Sequence, residues 1–285
     1  MKKIMKLGIP ILLALIMLAP TMVKANYNVA VGNSFTFDVV KSSWDVTVAG
    51  DSASVKGFEF EEMNYAEKTQ ITVLVTAASA ISVDWDMTVG SVTYSGGNGG
   101  LDLLGMIFYM FYPILLADLA SGTWNQTEMD LGPSIFPMFF VDPDVFSDFF
   151  YDFANETYIT SAFSDPEWVL TNIGGSFDNS SDIAVFDWQF DMTWTDAVSG
   201  HNYGGTYSMV FAFDKTTGAT KGYYFDVDYA GQVDFTAISV KHTQRVEQVG
   251  YNLPGVGFIP GFEWFMVIPA LALLAGLPII IKRRK

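Results

Sequence analysis

The chain has 285 residues, half of them hydrophobic, no cysteine and a formal net charge of −16. Lack of cysteine excludes a disulfide scaffold and thiol chemistry, and the acidic balance excludes binding to nucleic acid, whose phosphates demand basic partners. Eight of the 15 basic residues lie at the two ends, four before Asn26 and four after Ile281, so the stretch between carries seven basic against 31 acidic residues, a balance of −24. Such a surface attracts cations, resists self-association and repels anionic lipid headgroups.

Residues 1–25 have the layout of a secretory signal peptide. Lys2, Lys3 and Lys6 precede an apolar run from Leu7 to Ala19, and Val23 and Ala25 place small residues ahead of a cut after Ala25. The run falls short of the roughly 20 residues needed to cross a bilayer. The body is therefore expected outside the cytoplasm.

From Asn26 to Tyr94 the segments "SFTFDVV", "SSWDVTV", "TQITVLVTA" and "ISVDWDMTV" are rich in β-branched and aromatic residues and read as strands. The last alternates, with Ile81, Val83, Trp85, Met87 and Val89 on one face and polar residues on the other. "SGGNGG", Ser95 to Gly100, reads as a flexible connection. A helical insert over about 101–175 follows. Leu103 to Ala117 is apolar nearly all round, the pattern of a buried helix interrupted at Pro113. "VDPDVFSDFFYDFA" places Asp142 as N-cap and Pro143 in the first turn, with Val145, Phe146, Phe149, Phe150 and Phe153 at helical spacing. "SDPEWVLTNIGG" repeats that start at Asp165 and Pro166, with Gly174 or Gly175 to close a third helix.

Strand periodicity returns at Ser181. "AVFDWQFDMTW" sets Ala184, Phe186, Trp188, Phe190, Met192 and Trp194 on one face, and the turns "DKTTG" and Ala230-Gly231 separate later long strands. Short turns between consecutive strands predict an antiparallel meander of about four. The fold class expected is α+β, mainly antiparallel β, as a curved meander sheet with a helical insert and one C-terminal transmembrane helix. The β-rich domain covers 26–249, a Gly/Pro-rich tether 250–261, the membrane helix 262–281 and a cytoplasmic basic tail 282–285. Phe262 to Ile281 supplies 20 mostly apolar residues, about 30 Å of helix. Lys282, Arg283, Arg284 and Lys285 after it favour the cytoplasmic side, and Trp264 and Phe265 suit the interface.

Catalytic signals are missing from the sequence. His201 and His242 are the only histidines, fit no metalloprotease or nucleophile motif, and read as ordinary surface residues. The chain is expected not to be an enzyme, and to need no cofactor. If an ion binds, calcium suits a chain so rich in carboxylates, with Asp142, Asp144 and Asp148, or Asp226 and Asp228, as ligands; the competing reading makes them a helix N-terminus and a solvated strand face. Asn125, Asn155 and Asn179 each begin an N-x-Ser/Thr sequon and are candidate glycan acceptors in an exported chain. Met106, Phe108, Met110, Phe111, Phe139 and Phe140 in the insert offer flexible apolar surface. Core packing against the sheet and a cleft for a lipid or other apolar ligand are both open for them.

"VGNSFTFDVVKSSWDVTV", "WNQTEMDLGP", "FSDPEW", "NIGGSFDNSS", "DKTTGATKGY" and the tail "GFIPGFEWFMVIPALALLAGLPIIIKRRK" together resemble the choice-of-anchor surface proteins of archaea, the S type among them. That resemblance implies a cell-surface protein and brings no catalytic residues with it. The tail is similar to archaeal PGF-type sorting signals, matched by Pro260, Gly261 and Phe262, which implies removal of the helix by an archaeosortase and its replacement by a lipid; a retained span is the other reading. The function expected is that of a membrane-anchored surface or envelope protein with a structural or adhesive role, meeting other surface proteins or glycans. The alternative is an anchored carrier or receptor for an apolar ligand.

Overall fold

The computed structural model describes residues 27–99, 102–110, 129–155, 168–196, 198 and 200–255. The signal segment and the 262–281 segment lie outside them, as do Asn125, Phe111, Pro260, Gly261 and Phe262. Among the described residues no helix is long and apolar enough to cross a membrane.

The chain is mainly antiparallel β. β1 (Ser34–Val48), β2 (Asp51–Lys56), β5 (Gln70–Ala78), β6 (Ser82–Val89) and β7 (Val92–Gly99) form its N-terminal half. β8 (Trp168–Asp178), β9 (Ile183–Asp196), β10 (His201–Asp214), β11 (Thr220–Val233) and β12 (Thr236–Gln248) form the second. Together they build a ten-stranded sheet in the order β7-β6-β5-β1-β12-β11-β10-β9-β8, with β2 on part of the β1 edge. β3 (Phe58–Phe60) and β4 (Met63–Tyr65) pair as a separate hairpin. α1 (Asp102–Met110) and α2 (Pro143–Phe153) belong to the insert.

Two segments expected as separate strands are one. In β1, Phe37 and Val39 face the core, and so do Trp44, Val46 and Val48, a set that no unbroken period of two can contain. An irregularity between Val39 and Lys41 absorbs the change of phase, the service a β-bulge performs. It leaves Val40 exposed and turns Lys41 outward.

Four further expectations are corrected. "SGGNGG" is not a loose connection: Ser95 to Gly99 complete β7, paired with β6 so that Gly96 stands opposite Trp85. A Cβ on Gly96 would come within 2.5 Å of the Trp85 ring, so the glycine makes room for a buried indole whose Nε1 donates to Asn98 Oδ1 at 2.8 Å. The third helix is instead β8, because Trp168 to Thr171 and Gly174 to Asp178 pair with β9, with an irregularity between Thr171 and Gly174; the insert is correspondingly shorter. The Ala230-Gly231 turn falls inside β11, and the reversal is made by Asp234 and Phe235, both at positive φ (51° and 65°). On β6, Ile81 was expected inside and is instead exposed, just before the strand starts.

The remaining strand expectations agree with the structure. Ala184, Phe186, Trp188, Phe190, Met192 and Trp194 are all buried, and β9 to β12 form the consecutive antiparallel run, which β8 extends to five.

The insert lies on the inner face and shows that the sheet is bent. Phe140 N donates to Asn98 Oδ1 on β7 at 3.2 Å, while Phe139 O accepts from Thr220 N at the start of β11 at 2.9 Å. In a flat sheet β7 and β11, five steps apart, would be separated by about 24 Å. Two hydrogen bonds, one side chain and one peptide unit cover far less, so the sheet wraps around this point. Phe139 meets Phe37 of β1 and Trp85 of β6, with ring centroids 5.4 and 5.1 Å apart. Phe150 of α2 stacks on Phe186 of β9 at 4.1 Å. α2 starts where the sequence placed it, with Asp142 Oδ1 accepting from Asp144 N and Val145 N and Pro143 at its first position.

Candidate functional site

The candidate apolar-ligand residues divide. Met106, Met110, Phe139 and Phe140 are each at most 2% exposed and belong to the main core. The Phe108 side chain and Phe111 lie outside the described residues. Two surface cavities can be described, and neither is lined by any of these four.

The sequons also divide. Asn155 follows the C-terminal end of α2 and Asn179 sits in the turn between β8 and β9, and both side chains are exposed. Asn125 lies outside the described residues.

Both histidines are buried, contrary to the surface expectation. His242 occupies the inner face of β12, edge-on to Phe225 and near Trp44, and burial pushes its pKa down to about 3. His201 packs on Trp194, with Nε2 3.2 Å from Asp234 Oδ1. Among the described residues no group of three or more histidines and carboxylates could hold a metal. The proposed calcium ligands have other partners: Asp142 caps α2, Asp226 accepts from Thr243 Oγ1 and Asp228 accepts from Lys241 Nζ at 2.7 Å. Asp144 and Asp148 are exposed on α2.

The site that sequence reasoning missed is the junction between the body and its tether. After β12 the chain turns at Val249-Gly250 and returns across the outer face of the sheet. Leu253 is buried there with Val185, Val210 and Ala212, and Tyr224 and Tyr251 pack at the margin. Polar contacts fix the same residue. Glu247 Oε1 accepts from Leu253 N at 2.9 Å, from Arg245 Nε at 2.8 Å and from Arg245 Nη2 at 2.5 Å, while Arg245 Nη2 also donates to Leu253 O at 2.6 Å. Burial, aided by the charge of Glu247, raises the Tyr251 phenol to about 12, so it stays neutral. The tether expected as a Gly/Pro-rich linker over 250–261 is thus part of the folded unit through Leu253. A signal was present: outward positions Val185, Val210 and Ala212 are apolar where a wet face should be polar.

Beside this clamp lies a cavity of about 580 Å³ lined by Lys41, Lys56, Arg245, Glu67, Glu247 and Asn252 among others. The strand register explains the cluster, because Lys41 stands opposite Arg245 and Lys56 opposite Ser43. Two like charges facing across a strand pair repel, and Glu247 relieves that on the Arg245 side. Although two carboxylates line the cavity, Glu247 is held by Arg245 and Glu67 Oε1 accepts from Ser42 N at 3.1 Å. That arrangement orders the side chains around the cavity.

The chain matches no protein-family model and no curated protein sequence.

Proposed function

We propose that this chain is an exported surface protein, held by one C-terminal transmembrane segment over 262–281 and carrying its acidic β body outside the cell as a structural or adhesive component. The leader layout, the 20-residue apolar segment, the basic end and the likeness to archaeal choice-of-anchor proteins all support that reading. The observation that carries it is the clamp on Leu253, nine residues ahead of Phe262. A body meant to stand at a membrane in a set orientation gains from a linker fixed to it up to the last few residues, because free linker length sets how widely the body wanders.

An anchor of either chemistry fits, whether the helix is retained or is exchanged for a lipid at Pro260-Gly261-Phe262. The partners we assign are other surface proteins or glycans, met by the acidic exterior. Catalysis is not assigned. The apolar-carrier reading has less support, since Met106, Met110, Phe139 and Phe140 pack as core. Deleting residues 256–285 tests the proposal: the shortened chain should be secreted into the medium with its β fold intact. Continued sedimentation with membranes after that deletion would contradict it.

A further inference from the structure

The body's few cations are unevenly placed. Seven basic residues lie between Asn26 and Ile281; three of them, Lys41, Lys56 and Arg245, line the cavity beside the tether clamp, and Lys68 is exposed next to Glu67 of that lining. Three others are engaged elsewhere: Lys241 with Asp228 at 2.7 Å, Lys221 with Asp214 at 3.6 Å, and Lys215 Nζ with the Asn179 carbonyl. Lys41 and Lys56 are exposed, and no ion pair holds either among the described residues. Of the two acids of the cavity, Glu247 is held by Arg245 and Leu253 N, and Glu67 accepts one hydrogen bond from Ser42 N and keeps its charge, so three cations against two carboxylates leave the recess at +1. What remains is a recess presenting two uncommitted ammonium groups on an otherwise acidic body, the chemistry that recognises a phosphate oxyanion.

Position identifies which phosphate. Asn252 lines the recess, and Gly255 is seven residues before Phe262, the first residue of the membrane segment proposed above. Seven residues extend at most about 25 Å, so a body anchored there keeps this recess close to the bilayer. Like charge elsewhere on the body repels an anionic membrane, whereas these cations are placed at the end that meets it. We infer that the Lys41–Lys56 recess binds the phosphate of an anionic lipid headgroup and so fixes the tilt of the body on its membrane. This inference rests on the anchored reading.

The test uses the full chain in nanodiscs of phosphatidylcholine mixed with phosphatidylglycerol, with native mass spectrometry counting the lipids that remain on the released protein. Phosphatidylglycerol should be enriched on the wild-type chain, and the Lys41→Gln/Lys56→Gln variant should lose enrichment on the order of tenfold. Because both proteins share the basic tail, the difference between them isolates the recess. Both side chains are exposed, and an unchanged Tm establishes that the variant is folded. Equal enrichment in the two proteins, or none in either, overturns the inference while leaving anchorage standing. Calorimetric titration of the detergent-solubilised chain with inorganic phosphate is the second arm. Lysine-dependent phosphate binding without lipid enrichment assigns the recess to a free anion and overturns the headgroup. A chain that never enters the bilayer overturns the anchored reading, and the headgroup assignment with it.

Discussion

Asp102 and His242 show how burial of single groups shapes the pH response. Asp102 opens α1, where its Oδ2 accepts from Gly99 N at 2.6 Å and from Tyr27 OH at 3.3 Å. Desolvation outweighs those hydrogen bonds and raises its pKa to about 7. Between about 4 and 7 the folded chain therefore holds a proton there that the unfolded chain has lost, so this contribution to stability is full below about 4 and disappears as pH rises through 7. His242, lowered to about 3, acts in the opposite sense: the unfolded chain takes up a proton below 6.5, and stability falls as pH drops. Asp102→Asn should remove only the first effect. Denaturant unfolding between pH 4 and 6.5 should then show stability rising more steeply with pH, by up to about 1.4 kcal/mol per unit, and an unchanged slope would refute the assignment. A second residue-scale prediction concerns Gly218 in the "DKTTG" turn. It sits at φ 74°, and an added Cβ would lie 2.1 Å from Val141 O. Gly218→Ala should cost roughly 1–3 kcal/mol, read as a lowered denaturation midpoint. The sequence announces this turn through its residue types, but that its glycine also lets the insert close against β11 depends on contacts 77 positions apart along the chain (Val141 to Gly218).

At the scale of elements, legibility followed period. β9 to β12 and α2 are readable because long runs keep one period and α2 carries its own N-cap. β7 and β8 were not readable, for opposite reasons. Glycines normally weaken a strand, yet Gly96 is required where Trp85 lies across it; and the Asp-Pro start before β8 mimics a helix opening, while pairing with β9 decides the outcome. The insert is held by aromatic packing, and Phe150 touches Phe186, Phe211 and Phe213 at once. Phe150→Ala should destabilise by about 3–5 kcal/mol, measured by chemical denaturation. A loss under 1 kcal/mol would mean that α2 is a detachable lid, which is what an apolar carrier needs. The tether is an element of the same standing. Leu253→Ala should release it at about 2 kcal/mol or more, seen as faster exchange of the backbone amide at position 253 with the β9–β12 amides still protected.

For the whole molecule, the charge pattern and the clamp belong to one account. An acidic body is kept apart from its neighbours by charge, three of its seven cations, Lys41, Lys56 and Arg245, line one recess, and the chain after β12 is fixed beside that recess by Leu253, Glu247 and Arg245, next to the anchor proposed above. Sequence alone suggests a leader and a span at the two ends, because both are local patterns, and both lie outside the described residues. It does not expose the recess, because Lys41, Lys56 and Arg245 come together only through a bulge in β1 and its pairing with β2 and β12. The most direct test of anchorage is protease treatment of intact cells producing the protein, followed by carbonate extraction and mass spectrometry. With a retained helix, the body peptides should vanish from outside and a short fragment bearing 262–285 should remain in the membrane pellet; after sorting, a lipid-modified peptide from the 256–261 region should replace it there. Body peptides protected in intact cells, or the whole chain released by carbonate, would contradict the account.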